Sequence, residues 1–197
     1  MITKILTFVF TVASLILAYS LYSSIKTSID ETNKVERMEQ DIIERLKLIR
    51  DTQLAYKAVN GKYTGGWDSL TMFVDTGRFY ILQRTEKIIT LAYGADSTSV
   101  TIDTLGTRMV RDSLFSVNSG YAGFDVSQLP YVPGIEPPVK FNLWASKIQK
   151  AGLMLDVIEV YNPKPVNPRR NEDSDYNIRK PLRFGSRSSV TVAGNWE

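Results

Sequence analysis

Two helical patterns of apolar residues follow one another at the start of the chain. Residues 5–25 are uncharged and apolar on all sides of a helix, between Lys4 and Lys26. Further on, apolar residues recur at steps of three, four and seven, which places them on one helical face: Val35, Met38, Ile42, Leu46, Ile49 and Tyr56. Neither proline nor glycine occurs before Gly61, and Asn60-Gly61 suits a helix end. One long helix over residues 5–60 is predicted.

The first apolar run is long enough for a membrane-spanning helix, since the hydrocarbon core is about 30 Å thick and each residue adds 1.5 Å. The side chains that would face lipid include Ile5, Phe8, Phe10, Leu15, Leu17, Leu21 and Ile25. We predict a short cytoplasmic segment over residues 1–4, a span over residues 5–25 and export of the remainder, because cationic residues favour the cytoplasmic side. This makes the protein a single-pass inner-membrane protein with a periplasmic domain.

Two other interpretations of this run stay open. In one, it is a signal peptide cleaved before Leu21, with Ala18 and Ser20 as the small residues of the site. In the other, it is a buried helix of a soluble protein, although apolar residues on every side are not typical of that class. We favour a retained anchor because helix-compatible sequence continues past Leu21 without a breaker.

Residues 26–60 are predicted to form an amphipathic stalk. Its apolar stripe could pack against identical stalks in the lower half and, from about Leu46 onward, against the protein's own domain. The other faces carry many charges, among them Arg37, Asp41 and Arg45 at spacings that allow ion pairs. A solvated charged surface is the simplest interpretation of these faces.

The remaining residues, 61–197, predict an α+β domain with a loop-rich C-terminal extension. A short helix is expected over residues 68–75. Strands are expected where β-branched and aromatic residues cluster between turn signals, at residues 78–84, 87–93, 99–105, 108–117, 140–148, 153–161 and 188–193. The clearest hairpin joins residues 140–148 to 153–161. The predicted fold is thus a long transmembrane-plus-amphipathic helix packed on a predominantly antiparallel β-sheet.

The helix end carries a resemblance to a known family. Residues 49–64, IRDTQLAYKAVNGKYT, resemble the end of the N-terminal helix in type IV pilin-like proteins and type II secretion pseudopilins. The resemblance implies a membrane-anchored helix with a small antiparallel sheet packed on it, in a subunit of a secretion or pilus-like machine. The family's basic leader ending in glycine and its early glutamate are not matched, since Ile5 follows Lys4 and no acid precedes Asp30.

The amino-acid composition excludes most of the common types of catalytic site. The chain has no histidine and no cysteine, which excludes Cys/His zinc sites, cysteine nucleophiles and Ser-His-Asp triads. Asp103, Asp112 and Asp125 could offer carboxylates for hydrolysis, but their neighbours suit outward-facing strand positions better. The net charge of +3 is too small to indicate nucleic-acid binding. We predict a protein that is not an enzyme, needs no cofactor and binds no nucleic acid.

Three features of the second half are candidate binding sites. Residues 129–138 form a proline-rich connector in which Tyr131, Val132 and Ile135 look exposed enough for a partner contact, although a stiff packed connector is favoured. The one cluster of basic residues contains Arg169, Arg170, Arg179, Lys180, Arg183 and Arg187. Oxygen-bearing side chains alternate at Asn171, Asp173 and Asp175, like the opening of a calcium loop, but without its glycine and its final glutamate. No metal is predicted there.

These patterns predict a structural or interaction subunit of a bacterial envelope assembly. Its predicted partners are membrane lipid and other envelope proteins, and the stalk offers a surface for pairing with copies of itself. The alternative is a periplasmic protein that recognises an anionic glycan, a lipid or an acidic partner through the basic C-terminal region.

Overall fold

The computed structural model describes residues 2–90, 96–116 and 120–197, and within its helices and strands the side chains of residues 2–7, 9, 89–90 and 96–97 lie outside that description. In the described residues the α-helices are α1 (Ile2–Asn60), α2 (Trp67–Thr76) and α3 (Val110–Leu114). The strands are β1 (Arg78–Thr90), β2 (Asp96–Met109), β3 (Asn142–Lys150), β4 (Leu153–Tyr161) and β5 (Arg183–Gly185). Short 3-10 helices lie at Val126–Gln128 and Asn177–Arg179.

The predicted long helix is confirmed. Helix α1 has 59 residues, which is about 88 Å at 1.5 Å per residue. It crosses the polar stretch over residues 26–33 without a break, and the Thr27 and Thr32 hydroxyls there each donate a 2.9 Å hydrogen bond to a carbonyl four residues earlier. The helix ends where predicted. Gly61 has a φ of 73°, and its N–H donates to the Lys57 carbonyl at 2.8 Å.

The main sheet has the order β3-β4-β5 with antiparallel pairing, and it contains the predicted hairpin. Strands β3 and β4 are joined by Ala151 and Gly152, whose φ angles are 51° and 79°. Two consecutive positive φ values are what a two-residue hairpin turn requires, and its twist matches that of the strands. The sequence predicted this pair of strands to within two residues.

The core lies between the second half of α1 and this sheet. Ile42, Leu46 and Ile49 are fully buried against Phe141, Ile158 and other residues of the sheet and its connecting loops. Burial starts at Ile42, one turn before Leu46, and extends beyond one stripe, since Leu48, Thr52 and Gln53 are buried as well. The α+β class and the packing of the helix on an antiparallel sheet are confirmed.

Strands β1 and β2 form a separate two-stranded ribbon, so the single predicted sheet is corrected to two. The predicted strands 78–84 and 87–93 are one strand, β1, because no turn-forming residue separates Arg84 from Lys87. Residues 91–93 of the second prediction lie outside the described residues. The ribbon joins the domain at its base, where Phe79 packs against the small cluster of Ala55, Phe73 and Val110.

Two predicted strands are wrong. Residues 110–114 of the predicted strand 108–117 form α3, because a helical turn puts Val110 and Leu114 on one face towards Ala55 and Phe73 and leaves Asp112 exposed. Residue 117 is outside the description. Residues 188–190 are bends and residues 191–193 have no regular structure, and the Ser186 and Thr191 hydroxyls accept the N–H groups of Ser188 and Ala193. Such local bonds compete with strand pairing.

Candidate functional site

The first part of α1 exposes apolar side chains in all directions. Phe8, Phe10, Leu15, Leu17, Leu21 and Ile25 are all exposed, with Leu15 at 70%. The Ile5 side chain lies outside the described residues. Among the residues that the structure describes, no helix is sufficiently long and apolar to cross a membrane. The transmembrane part of the predicted fold is therefore unsupported by the structure.

The stalk residues divide between two environments. Val35 and Met38 are half-buried, Ile42, Leu46 and Ile49 are buried, and Tyr56 is half-buried with its ring 5.0 Å from that of Phe73 in an edge-to-face contact. Residues 26–34 are exposed. The stripe is thus used mainly by the protein's own domain, and self-association through the lower stalk stays a prediction.

The charged faces of α1 are more than a solvated surface, which corrects the interpretation of Arg45. Its guanidinium donates to the carbonyls of Gln128 and, at 3.2 Å, Tyr131, and it lies 4.4 Å from the centre of the Phe124 ring. Burial lowers the pKa of Arg45. These contacts attach the loop before the connector to the helix.

Two ion pairs connect α1 to the C-terminal half. Glu39 pairs with Arg170, and these side chains are only 15% and 13% exposed. Arg50 donates a 2.6 Å hydrogen bond to the Glu197 carboxylate, which lowers the pKa of Glu197. Sequence periodicity did not reveal these pairs, because the partners are more than 130 residues apart.

The basic C-terminal residues fall into two groups. Arg170 also donates to the Ile178 carbonyl at 2.6 Å, and Arg183 pairs with Glu172 and, at 3.6 Å, with Glu159. Arg170 and Arg183 are thus held within the domain. Arg169 and Arg179 keep exposed side chains, whereas Lys180 is half-buried.

A cleft of about 490 Å³ lies among these residues, lined by Asn167, Arg169, Arg170, Ile178 and Arg179. The structure therefore brings together Arg169, Arg170 and Arg179 of the predicted basic set. The guanidinium groups that line it are suited to bind a carboxylate or phosphate oxygen.

The acidic loop beside the cleft is a turn. The Asn171 side-chain oxygen accepts the Asp173 N–H at 3.3 Å, and its carbonyl accepts the Ser174 N–H at 3.1 Å. Asp173 and Asp175 are exposed. In the described part of the chain, acidic side chains form no group of three or more that could hold a metal ion.

The proline-rich connector is packed against the core. Val132 is 3% exposed and its N–H donates to the Val139 carbonyl at 2.8 Å, which agrees with the favoured interpretation of a packed connector and leaves Val132 no surface for a partner. Tyr131 and Ile135 are half-buried, and Ile135 packs against the main core. A partner would meet only the remaining surface of these two residues.

The three carboxylates considered for catalysis belong to different elements. Asp103 lies in β2 and Asp112 in α3. Asp125 caps a 3-10 helix by accepting the Ser127 hydroxyl at 2.7 Å and its N–H at 3.0 Å, and these bonds lower the pKa of Asp125. A capping role accounts for Asp125 without any reaction.

The ribbon is the surface that the sequence interpretation missed. Apolar side chains on both strands are exposed, including Ile88 at 68% and Ile102 at 60%. The signal was present in residues 99–103, where apolar Val100 and Ile102 alternate with Ser99, Thr101 and Asp103. The pairing with β2 shifts register between Ile81 and Leu82 and is regular from Leu82 to Thr90, which leaves a large exposed surface on the ribbon.

Comparison of this chain with models of protein families, with curated proteins and with solved structures gives no match in any of the three cases.

Proposed function

We propose that this protein is a membrane-anchored structural or interaction subunit of a bacterial envelope assembly and is not an enzyme. One observation carries the proposal: a single helix, α1, exposes apolar side chains on all sides at its start and forms the core of a folded domain at its end. Such a helix would hold the domain at a fixed distance from the membrane in which its apolar part is anchored.

The anchor in this proposal is the run of residues 5–25. It has no charge between Lys4 and Lys26, and its described apolar side chains are exposed to an extent that is unusual for a surface in contact with water. Tyr19 and Tyr22 near its end suit a membrane interface, and Lys4 favours a cytoplasmic start with the domain in the periplasm. The resemblance to pilin-like proteins and pseudopilins supports the same arrangement.

A matched pair of substitutions on α1 tests the anchor. Leu15→Arg places a charge at the centre of the run, where it costs about 2.5–3.5 kcal/mol in a bilayer, whereas Thr32→Arg lies outside the run. After cell fractionation, the original chain and Thr32→Arg should stay with membranes through carbonate washing. Leu15→Arg should lose much of this retention. Recovery of the original chain in the soluble fraction would contradict the anchor.

The subunit role requires partners that survive gentle extraction. Protein extracted in mild detergent and analysed by mass spectrometry should be accompanied by other envelope proteins in constant ratio. A chain that is always recovered without companions, at native abundance, would contradict the role in an assembly.

The cleft at Arg169 and Arg179 favours a second candidate function, recognition of an anionic envelope glycan. The two exposed guanidinium groups lie on one concave surface, and Arg170 between them is held by Glu39. A carboxylated oligosaccharide is the probe, with binding followed by NMR titration. Arg169→Gln and Arg179→Gln should weaken binding, and Lys164→Gln, at an exposed position that does not line the cleft, should not. Equal weakening by all three would indicate nonspecific charge attraction.

A further inference from the structure

The ribbon has two unlike faces. In an antiparallel pair, residues directly opposite one another lie on the same face. Leu82, Arg84, Glu86 and Ile88 pair with Thr104, Ile102, Val100 and Thr98. The other face carries Gln83, Thr85 and Lys87 opposite Asp103, Thr101 and Ser99. One face, here called the apolar face, thus combines Leu82, Ile88, Val100 and Ile102 with Arg84 and Glu86, and the other is polar over the same length.

The apolar face is exposed along its length. Leu82 is 57% exposed and Val100 45%, beside the higher values of Ile88 and Ile102. Arg84 and Glu86 form an ion pair of 2.6 Å at its centre. A two-stranded ribbon in water has little stability of its own unless one face is packed against something. The base is held by Phe79 and by the Val110 N–H, which donates to the Gly77 carbonyl at 2.9 Å, but these contacts lie at the start of β1.

We propose that the apolar face is the contact between two copies of this chain, related by a two-fold axis. The charges and apolar side chains of this face are arranged symmetrically about the midpoint between Arg84 and Glu86. A two-fold axis through this point and perpendicular to the strands sets Arg84 of one copy opposite Glu86 of the other, and the reverse. It also sets Leu82 opposite Ile88, and Ile102 opposite Val100. Each charge meets its opposite and each apolar residue meets another.

The paired arrangement stabilises both groups of residues. The Arg84–Glu86 ion pairs of the two copies become a ring of four alternating charges. The four apolar residues of each copy exclude water from this ring, and the lower effective dielectric constant strengthens the attraction between opposite charges. The polar faces remain towards water. This inference rests on the proposed interaction role but is independent of the membrane anchor.

Charge reversal in the full chain, purified in detergent, tests the pairing. Arg84→Glu gives each copy two acidic groups at the centre of the face, and Glu86→Arg gives each copy two basic groups. Sedimentation should show that each variant alone dimerises at least about tenfold more weakly than the original chain, because like charges oppose one another. An equimolar mixture of the two variants should recover dimers that contain one copy of each. The double variant, with both reversals in one chain, should also dimerise.

A neighbouring pair of substitutions serves as the matched control. Ile102→Lys on the apolar face should abolish the dimer, and Thr101→Lys on the polar face should leave it intact. A mixture that stays monomeric, or equal effects of the two lysine substitutions, would overturn the proposal. The proposal would also be overturned if the original chain were monomeric at all concentrations and a different protein co-purified with it but not with Ile102→Lys. A monomer that still sediments with membranes overturns this inference alone and leaves the anchor standing.

Discussion

The side chain of Gln53 makes with Thr64 both of the hydrogen bonds that a neighbouring strand would make. Its Nε2 donates to the Thr64 carbonyl at 2.9 Å, and its Oε1 accepts the Thr64 N–H at 3.2 Å. Gln53 is 1% exposed, so these bonds replace the water that its amide loses on folding. These bonds hold the segment that follows α1 against the helix, three residues before α2 begins.

Gln53→Met should lower the free energy of unfolding by about 1–3 kcal/mol, because it keeps the side-chain volume but leaves the Thr64 N–H and carbonyl without this partner. Chemical denaturation in detergent, followed by tryptophan fluorescence, measures the change. Gln40→Met is the control on the same helix, at an exposed position. Equal effects of the two substitutions would show that the Gln53 bonds contribute nothing.

The Glu39–Arg170 pair should contribute to the attachment of the C-terminal loops to α1. We expect a double-mutant cycle of Glu39→Ala and Arg170→Ala to give a coupling energy of about 1.5–3 kcal/mol, as for hydrogen bonds to charged groups. The same cycle with Glu36→Ala, at an exposed position three residues away, should give a value near zero. A coupling energy near zero for Glu39 would mean that the pair is a solvated surface contact.

Asp51 should make stability depend on pH. Burial raises the pKa of Asp51 above its ordinary value of 3.8, and Arg50 opposes the increase. The folded protein therefore keeps a proton on Asp51 at pH values where the unfolded chain has lost it, so stability present below pH 3.8 is lost as the pH rises through the folded pKa. Asp51→Asn should raise the free energy of unfolding at pH 7 and change it little at pH 3.

The exposed Asp41 on the same helix provides the control for this titration. Asp41→Asn should leave the pH dependence of the unfolding free energy as it is in the original chain. If Asp51→Asn lowered stability at pH 7, favourable interactions of the carboxylate, such as that with Arg50, would outweigh its burial and the predicted sign would be wrong.

Gly185 should not tolerate a side chain. It has a φ of 80°, and a Cβ placed there would lie 2.0 Å from the Ile158 carbonyl oxygen in the neighbouring strand. Gly152 has a similar φ of 79° but open space around the added atom. Gly152→Ala should cost about 1 kcal/mol from backbone strain alone, and Gly185→Ala clearly more. Thermal unfolding of the two variants compares them, and equal midpoints would contradict the close approach.

The long helix and the central hairpin could be predicted because their signals are local. Helix α1 shows an unbroken periodicity and a clear stop at Asn60-Gly61, and the β3–β4 turn carries a glycine between two strands of regular alternation. Strand β5 was missed because Arg183–Gly185 is too short to show any alternation. Its pairing with β4 depends on contacts that lie far away in the sequence.

For the candidate sites, the sequence showed which residue types are concentrated in a segment but not which of them contact one another. The cluster of basic residues was visible in the sequence. That Arg170 is buried in an ion pair while Arg169 is exposed depends on Glu39, which lies in the distant helix α1. Asn195 was likewise missed. Its side chain donates to the carbonyls of Asn177 and Pro181 and accepts the Arg183 N–H at 3.1 Å, so it joins the C-terminal loops around β5. One asparagine in a sequence gives no sign of such a role.

We propose that one helix, α1, serves both as the attachment of the protein and as the core of its domain. Hydrogen exchange of β3 and β4 in full chains carrying Leu46→Pro or Thr32→Pro tests it most directly. Leu46 is fully buried in the core, whereas Thr32 lies in the exposed part of α1. Proline breaks a helix at either position. We predict that Leu46→Pro abolishes protection of both strands and that Thr32→Pro leaves it unchanged; equal protection in the two variants would contradict the claim.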